Sequence, residues 1–136
     1  MADVEIDRDV CKLVHEFARR LDVQVRRVGE EVGLTPAQVV ALRELSEPIT
    51  ARELASRMSC EASNATFVID RLEDQGLVGL RHHPTDRRAK EIVLTDAGVQ
   101  ARSGVLERLN RTSPLVSLDR DRQESLVELL RALVSE

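Results

Sequence analysis

The chain has 136 residues, a formal net charge of −4, 42% hydrophobic and 32% charged residues, and only 1% aromatic. That length suits one domain burying about 65–70% of its unfolded surface, and with no Trp or Tyr the core must be aliphatic. No apolar run approaches the roughly 20 residues that cross a bilayer, and MADVEIDRDV at the N-terminus is acidic where a signal peptide is basic, so a cytoplasmic chain without membrane attachment is expected.

Val10, Val14, Phe17, Leu21, Val25, Val28 and Val32 recur at three- and four-residue spacing, which predicts a long first helix ending near Gly33. LTPAQVVALREL then offers Thr35 as N-cap, Pro36 at the first helical position and Gln38 three residues after the cap, predicting a second helix to about Ser46. Pro48 breaks it. Thr50 and Glu53 stand in capping-box spacing and open a short third helix with Leu54, Ala55 and Met58 turned inward; a fourth runs from about Glu61 to Gln75 and stops at Gly76. Two helices joined by a tight turn suggest a helix-turn-helix.

LVGLRHH and AKEIVLT flank a polar turn at residues 84–88 and favour a β-hairpin. Thr95 can cap a fifth helix to about Arg111, interrupted at Gly104, before TSPL breaks it and Asp119 or Ser117 caps a sixth over DRQESLVELLRALV. No repeat or low-complexity linker is present. The fold expected is mainly α with a small β wing: a winged helix-turn-helix at residues 34–95, with recognition helix 61–75 and wing 77–95, flanked by helices at 1–33 and 96–136.

Charge placement points to a partner. Within Arg81–Lys90, Arg81, Arg87, Arg88 and Lys90 stand against Asp86 alone, a local cationic patch on an acidic chain. In a winged helix the second helix of the pair enters the major groove and the hairpin reaches flanking backbone or minor groove. On a helical wheel Ala62, Ala65, Val68, Ile69 and Leu72 share the inward side of the fourth helix. Ser63, Asn64, Thr66, Phe67 and Arg71 lie on the outer face and its edges, with Asp70 and Asp74. These residues, with Arg87, Arg88 and Lys90 on the wing and Arg52 and Arg57 on the third helix, are the candidate DNA contacts. Asp86 is expected to hold the turn by accepting from backbone N–H groups or by pairing with Arg88.

DRRAKEIVLT carries Asp86, Arg88, Leu94 and Thr95 on the D-x-R-x-x-x-x-x-L-T wing signature and resembles the MarR family of transcriptional regulators. The likeness extends through RLEDQGLV and to the long first and two C-terminal helices, nearly the whole chain. It implies a homodimer held by the first and last helices, bound to a pseudo-palindromic operator, usually as a repressor released by a small ligand or by oxidation. The Val10–Val32 stripe with Leu126, Leu129, Leu130 and Leu133 independently offers more apolar surface than a DNA-binding module uses. Two departures stand out: Phe67 and Leu80 occupy places where relatives often carry Arg or another polar residue.

No catalytic residue, cofactor or metal is expected, because G-x-S-x-G, a glycine-rich loop and H-E-x-x-H are all absent and Cys11 and Cys60 form no C-x-x-C pair. His82 and His83 read as solvated or phosphate-contacting residues rather than ligands, and His15 as lining a crevice or facing water. Two alternatives stand beside the repressor reading: a redox-responsive regulator using Cys11 or Cys60, and a protein-docking winged helix anchored on Phe67 and Leu80.

Overall fold

Asp3 opens the first helix by accepting the N–H groups of Glu5 and Ile6 through its carboxylate, at 2.8 and 3.2 Å. The helix, α1, runs Val4–Val32 and ends on Gly33, whose φ of 74° is the left-handed conformation glycine adopts without strain. In this computed structural model Met1 and residues 3–135 are described. The apolar stripe of α1 divides in two: Val25 and Val28 are buried, whereas Val10, Val14 and Leu21 stand exposed.

Helix α2, Pro36–Glu44, has the full capping box: Gln38 N–H donates to Thr35 Oγ1 (3.2 Å) and Thr35 N–H to Gln38 Oε1 (3.0 Å). It stops two residues before Ser46, and a strand the sequence did not announce follows, β1 at Ile49–Thr50. Helix α3, Ala51–Met58, starts on Thr50, but only half of the anticipated box forms. Thr50 Oγ1 accepts from Glu53 N–H, and the Glu53 carboxylate takes the Thr50 hydroxyl instead of a backbone amide. Helix α4 spans Ala62–Asp74, strands β2 and β3 span Val78–His82 and Lys90–Leu94, α5 spans Asp96–Arg111, and α6 spans Arg120–Val134 after a 3-10 turn at Pro114–Ser117. Of the two caps considered for α6, Asp119 takes the role, accepting from Arg122 N–H at 2.8 Å.

Gly104 does not interrupt α5, which is continuous through it. One glycine lowers helix propensity by about 1 kcal/mol, too little to outweigh fifteen helical neighbours and the buried Val105 beside it. The three strands form one antiparallel sheet in the order β1-β3-β2, with Ile49 opposite Ile92 and Val78 opposite Leu94. The core is aliphatic, with Leu42, Ile49, Leu54, Leu72 and Ile92 fully enclosed between the helices and that sheet. Helix α6 buries no residue at all, and Leu129, Leu130 and Leu133 face outward.

Candidate nucleic-acid interface

The turn between α3 and α4 passes through Ser59 at φ 54°, the one non-glycine residue with positive φ among those described, and Cys60 N–H closes it onto Ala55 carbonyl at 3.0 Å. It launches α4 with Ala65, Val68, Ile69 and Leu72 packed inward. Ala62, placed on that inward side by the wheel, is exposed: as the first residue of the helix it lies a turn short of the packed stretch. Ser63, Asn64, Thr66, Phe67 and Arg71 are all exposed. The Thr66 hydroxyl donates back to Ala62 carbonyl at 3.0 Å, so it faces a partner mainly as an acceptor. Phe67 is 61% exposed, and the Arg71 guanidinium carbon sits 5.1 Å from its ring centroid, within cation–π range.

The wing turn is closed by its own backbone. His83 N–H donates to Ala89 carbonyl and Ala89 N–H to Asp86 carbonyl, both at 3.1 Å. Of the two roles considered for Asp86, the backbone one is seen: its Oδ1 accepts from Arg88 N–H at 3.0 Å. His83 is half-buried at the start of this turn. Its Nδ1 lies 3.2 Å from the N–H groups of both Thr85 and Asp86, so the ring helps to close the turn. Arg87, Arg88 and Lys90 are left exposed, and among the described residues their side chains form no ion pair.

Two basic residues are occupied within the protomer. Arg57 donates to Glu44 carbonyl (3.1 Å), to Ser46 Oγ (3.3 Å) and to Glu47 Oε1 (2.6 Å), strapping α3 to the α2–β1 loop instead of standing free for a phosphate. Arg81 pairs across the sheet with Glu91, its Nε and Nη2 each 3.2 Å from Oε1. Glu91 lies just past the stretch whose charges made the wing look strongly cationic, and it cancels one of them. Arg52 remains exposed. It lines a groove of about 270 Å³ together with Thr66 and Asp70 of α4 and Leu80 and Lys90 of the wing, so α3, α4 and the wing base meet along one cleft.

Sequence reasoning missed the residues that fix the wing to the body. Thr95 Oγ1 donates to Gly76 carbonyl (2.7 Å) and accepts Gly98 N–H (3.0 Å), while its own N–H reaches Leu77 carbonyl (3.1 Å). One residue thus joins the end of α4, the base of the hairpin and the start of α5. Arg102 donates to the carbonyls of Leu42 and Arg43 at 2.8 and 3.1 Å, tying α5 to the α2 C-terminus. Only the threonine had a local signal, its capping position.

A second concavity, of about 680 Å³, lies between α1 and the Thr112–Pro114 segment and is lined by Arg19, Arg20, Val23, Arg27, Val28 and Glu31 among others. His15 is exposed beside it rather than in its lining. Cys11 is exposed and Cys60 half-buried. Cys11 stands two turns inside α1. Among the described residues no helix is long and apolar enough to cross a membrane.

Residues 34–90 match the MarR family. Among curated proteins, the HTH-type transcriptional repressor MdtR of Bacillus subtilis is 38% identical over 92 residues, 66% of this chain and 59% of that protein. The alignment therefore spans about three-fifths of that relative. Among solved structures, CouR of Rhodococcus jostii RHA1 bound to p-coumaroyl-CoA superposes with a TM-score of 0.83 at 21% identity, covering 96% of this chain and 95% of that one. BpsR of Bordetella bronchiseptica, whose DNA binding is regulated by 6-hydroxynicotinic acid, gives 0.76 at 21% identity over 93% and 94%. At that identity these two likenesses speak to the fold.

Proposed function

The chain belongs to the MarR family of winged-helix proteins, and on that premise we propose that it is a cytoplasmic transcriptional repressor, binding a pseudo-palindromic duplex as a homodimer and released by a small ligand. The observation that carries the reading is the cleft shared by α3, α4 and the wing. It is lined by Thr66 and Asp70 of α4 together with Arg52 and Lys90, which make no ion pair among the described residues, and Arg87 and Arg88 follow in the adjoining wing turn. Helix α4 then reads base edges through Ser63, Asn64, Phe67 and Arg71, and the wing arginines grip the backbone or minor groove.

Pairing of protomers is supported by the exposed apolar half of α1 and by α6, whose Leu129, Leu130 and Leu133 stand exposed. A stripe of that size is costly in water and suits a twofold, self-complementary contact. The crevice beside α1 suits an acidic effector with an apolar body, of the kind that 6-hydroxynicotinic acid represents for BpsR. Glu16 faces Arg20 at 3.7 Å and Glu31 pairs with Arg108 at 3.1 Å. Among the described residues Arg19 and Arg27 make no ion pair, so both guanidinium groups remain for a carboxylate, above a floor of Val23, Val28 and Pro114.

The test is fluorescence anisotropy on duplexes from the DNA beside the gene, across a salt series. Binding through phosphates must weaken linearly in log–log form, and the Arg87→Ala/Arg88→Ala double variant must lower affinity and reduce the slope by about one for each phosphate no longer neutralised. Full affinity in the double variant would overturn the wing assignment. A protein partner docked on Phe67 and Leu80 would show no such slope.

A further inference from the structure

We propose that Phe67 and Arg71 form one reading element, in which the Phe67 ring seats against the 5-methyl group of a thymine and holds the Arg71 guanidinium toward the guanine of the neighbouring base pair. The inference rests on the DNA-reading role of α4 given above and adds the identity of the step that is read. Phe67 is one of two phenylalanines in the chain; the other, Phe17, is half-buried on α1, while Phe67 is 61% exposed on the face that carries Ser63 and Asn64. In a major groove the apolar feature a ring can meet is the 5-methyl of thymine. Most of the other groups on the floor are hydrogen-bond donors or acceptors, against which a phenyl ring would only strip water.

Arg71 lies one turn further along α4, and its guanidinium is already over the ring at 5.1 Å. Among the described residues it has no carboxylate partner, so its donors remain available. The stacked arrangement withdraws much of the rotamer freedom that an arginine otherwise loses on binding, and a planar fork of donors matches the O6 and N7 acceptors of guanine. Adjacent base pairs are about 3.4 Å apart along the axis, a separation that two groups with centres 5.1 Å apart can bridge. The pair therefore selects a thymine–guanine step in each half-site, a preference that a polar residue at position 67 would not give.

The experiment is selection of binding duplexes from a random pool by the full chain, followed by replacement of each thymidine with deoxyuridine, which removes only the methyl group. Wild type is expected to lose about fourfold for one half-site and about fifteenfold for both at a thymine next to guanine, from the contribution of one buried methyl. Phe67→Ala is expected to bind more weakly and to be indifferent to the same replacement. Arg71→Lys keeps the charge without the planar fork and is expected to lose the guanine preference at the neighbouring position. Deoxyuridine that is tolerated everywhere, an equal loss in Phe67→Ala, or an Arg71→Lys variant with unchanged guanine preference would each overturn the proposal while leaving DNA binding intact. A pool from which no sequence is enriched would overturn the DNA-reading role itself, and this inference with it.

Discussion

Two glycines on α5 allow the same substitution to be predicted with opposite signs. Gly98 is the third residue of the helix and Gly104 lies at its middle. In a helix interior alanine is worth roughly 1 kcal/mol over glycine, so Gly104→Ala should stabilise the chain by about 0.5–1 kcal/mol. The neighbour its Cβ meets is the tip of Arg108 at 3.2 Å, a flexible group that can yield. At Gly98 the added Cβ would stand 1.9 Å from Leu77 carbonyl oxygen and 3.0 Å from its carbon. Ordinary contact begins near 3.4 Å, so about 1.5 Å must be regained against backbone. The same carbonyl accepts Thr95 N–H, and moving it breaks that bond as well. Overpacking of about 1–3 kcal/mol together with one broken hydrogen bond of about 1 kcal/mol exceeds the helix gain of about 1 kcal/mol, leaving a net loss of about 1–3 kcal/mol. Urea unfolding at a fixed protomer concentration, needed because association shifts apparent stability, reads both variants against wild type. A Gly98→Ala variant as stable as wild type would refute the claim that α5 and the hairpin base are in backbone contact.

Replacing Thr95 by valine keeps the branch but removes the bond to Gly76 and the cap on Gly98, and should lower stability by about 1.5–3 kcal/mol in the same assay. Asp86→Ala removes the acceptor for Arg88 N–H; the wing turn should loosen, seen as faster amide exchange at Arg88, with little change in global stability because the site is exposed. Leu130→Asp with Leu133→Asp on α6 should shift the protein toward monomer in analytical ultracentrifugation, since charge is placed on the exposed apolar face proposed for pairing. An unchanged sedimentation coefficient would mean that α6 is not in the dimer contact.

The helices could be read from local chemistry because the signals that start and stop them are local. Thr35, Thr50, Thr95 and Asp119 each accept the amide that their position anticipates. Strand β1 escaped because two residues between a proline and a helix have no periodicity to detect, and they become a strand only through pairing with Ile92 and Glu91. The candidate site was legible as composition but not as wiring. Arg57 and Arg81 looked as available as Arg87 and Arg88, and what separates them is a carboxylate or carbonyl from another element. His83 was likewise ambiguous, because its bonds to Thr85 and Asp86 depend on the turn having already closed.

By pairing with β3, strand β1 stitches the hairpin to the helix-turn-helix, and Thr95 rivets the other end of the same hairpin to Gly76. On the proposed dimer neither wing can fold away while its recognition helix stays engaged, so control by the proposed effector would be exerted between the two DNA-reading units. B-form half-sites repeat at roughly 34–36 Å, and the proposed twofold pair of such stiff jaws would act as a calliper, either set to that interval or off the gauge.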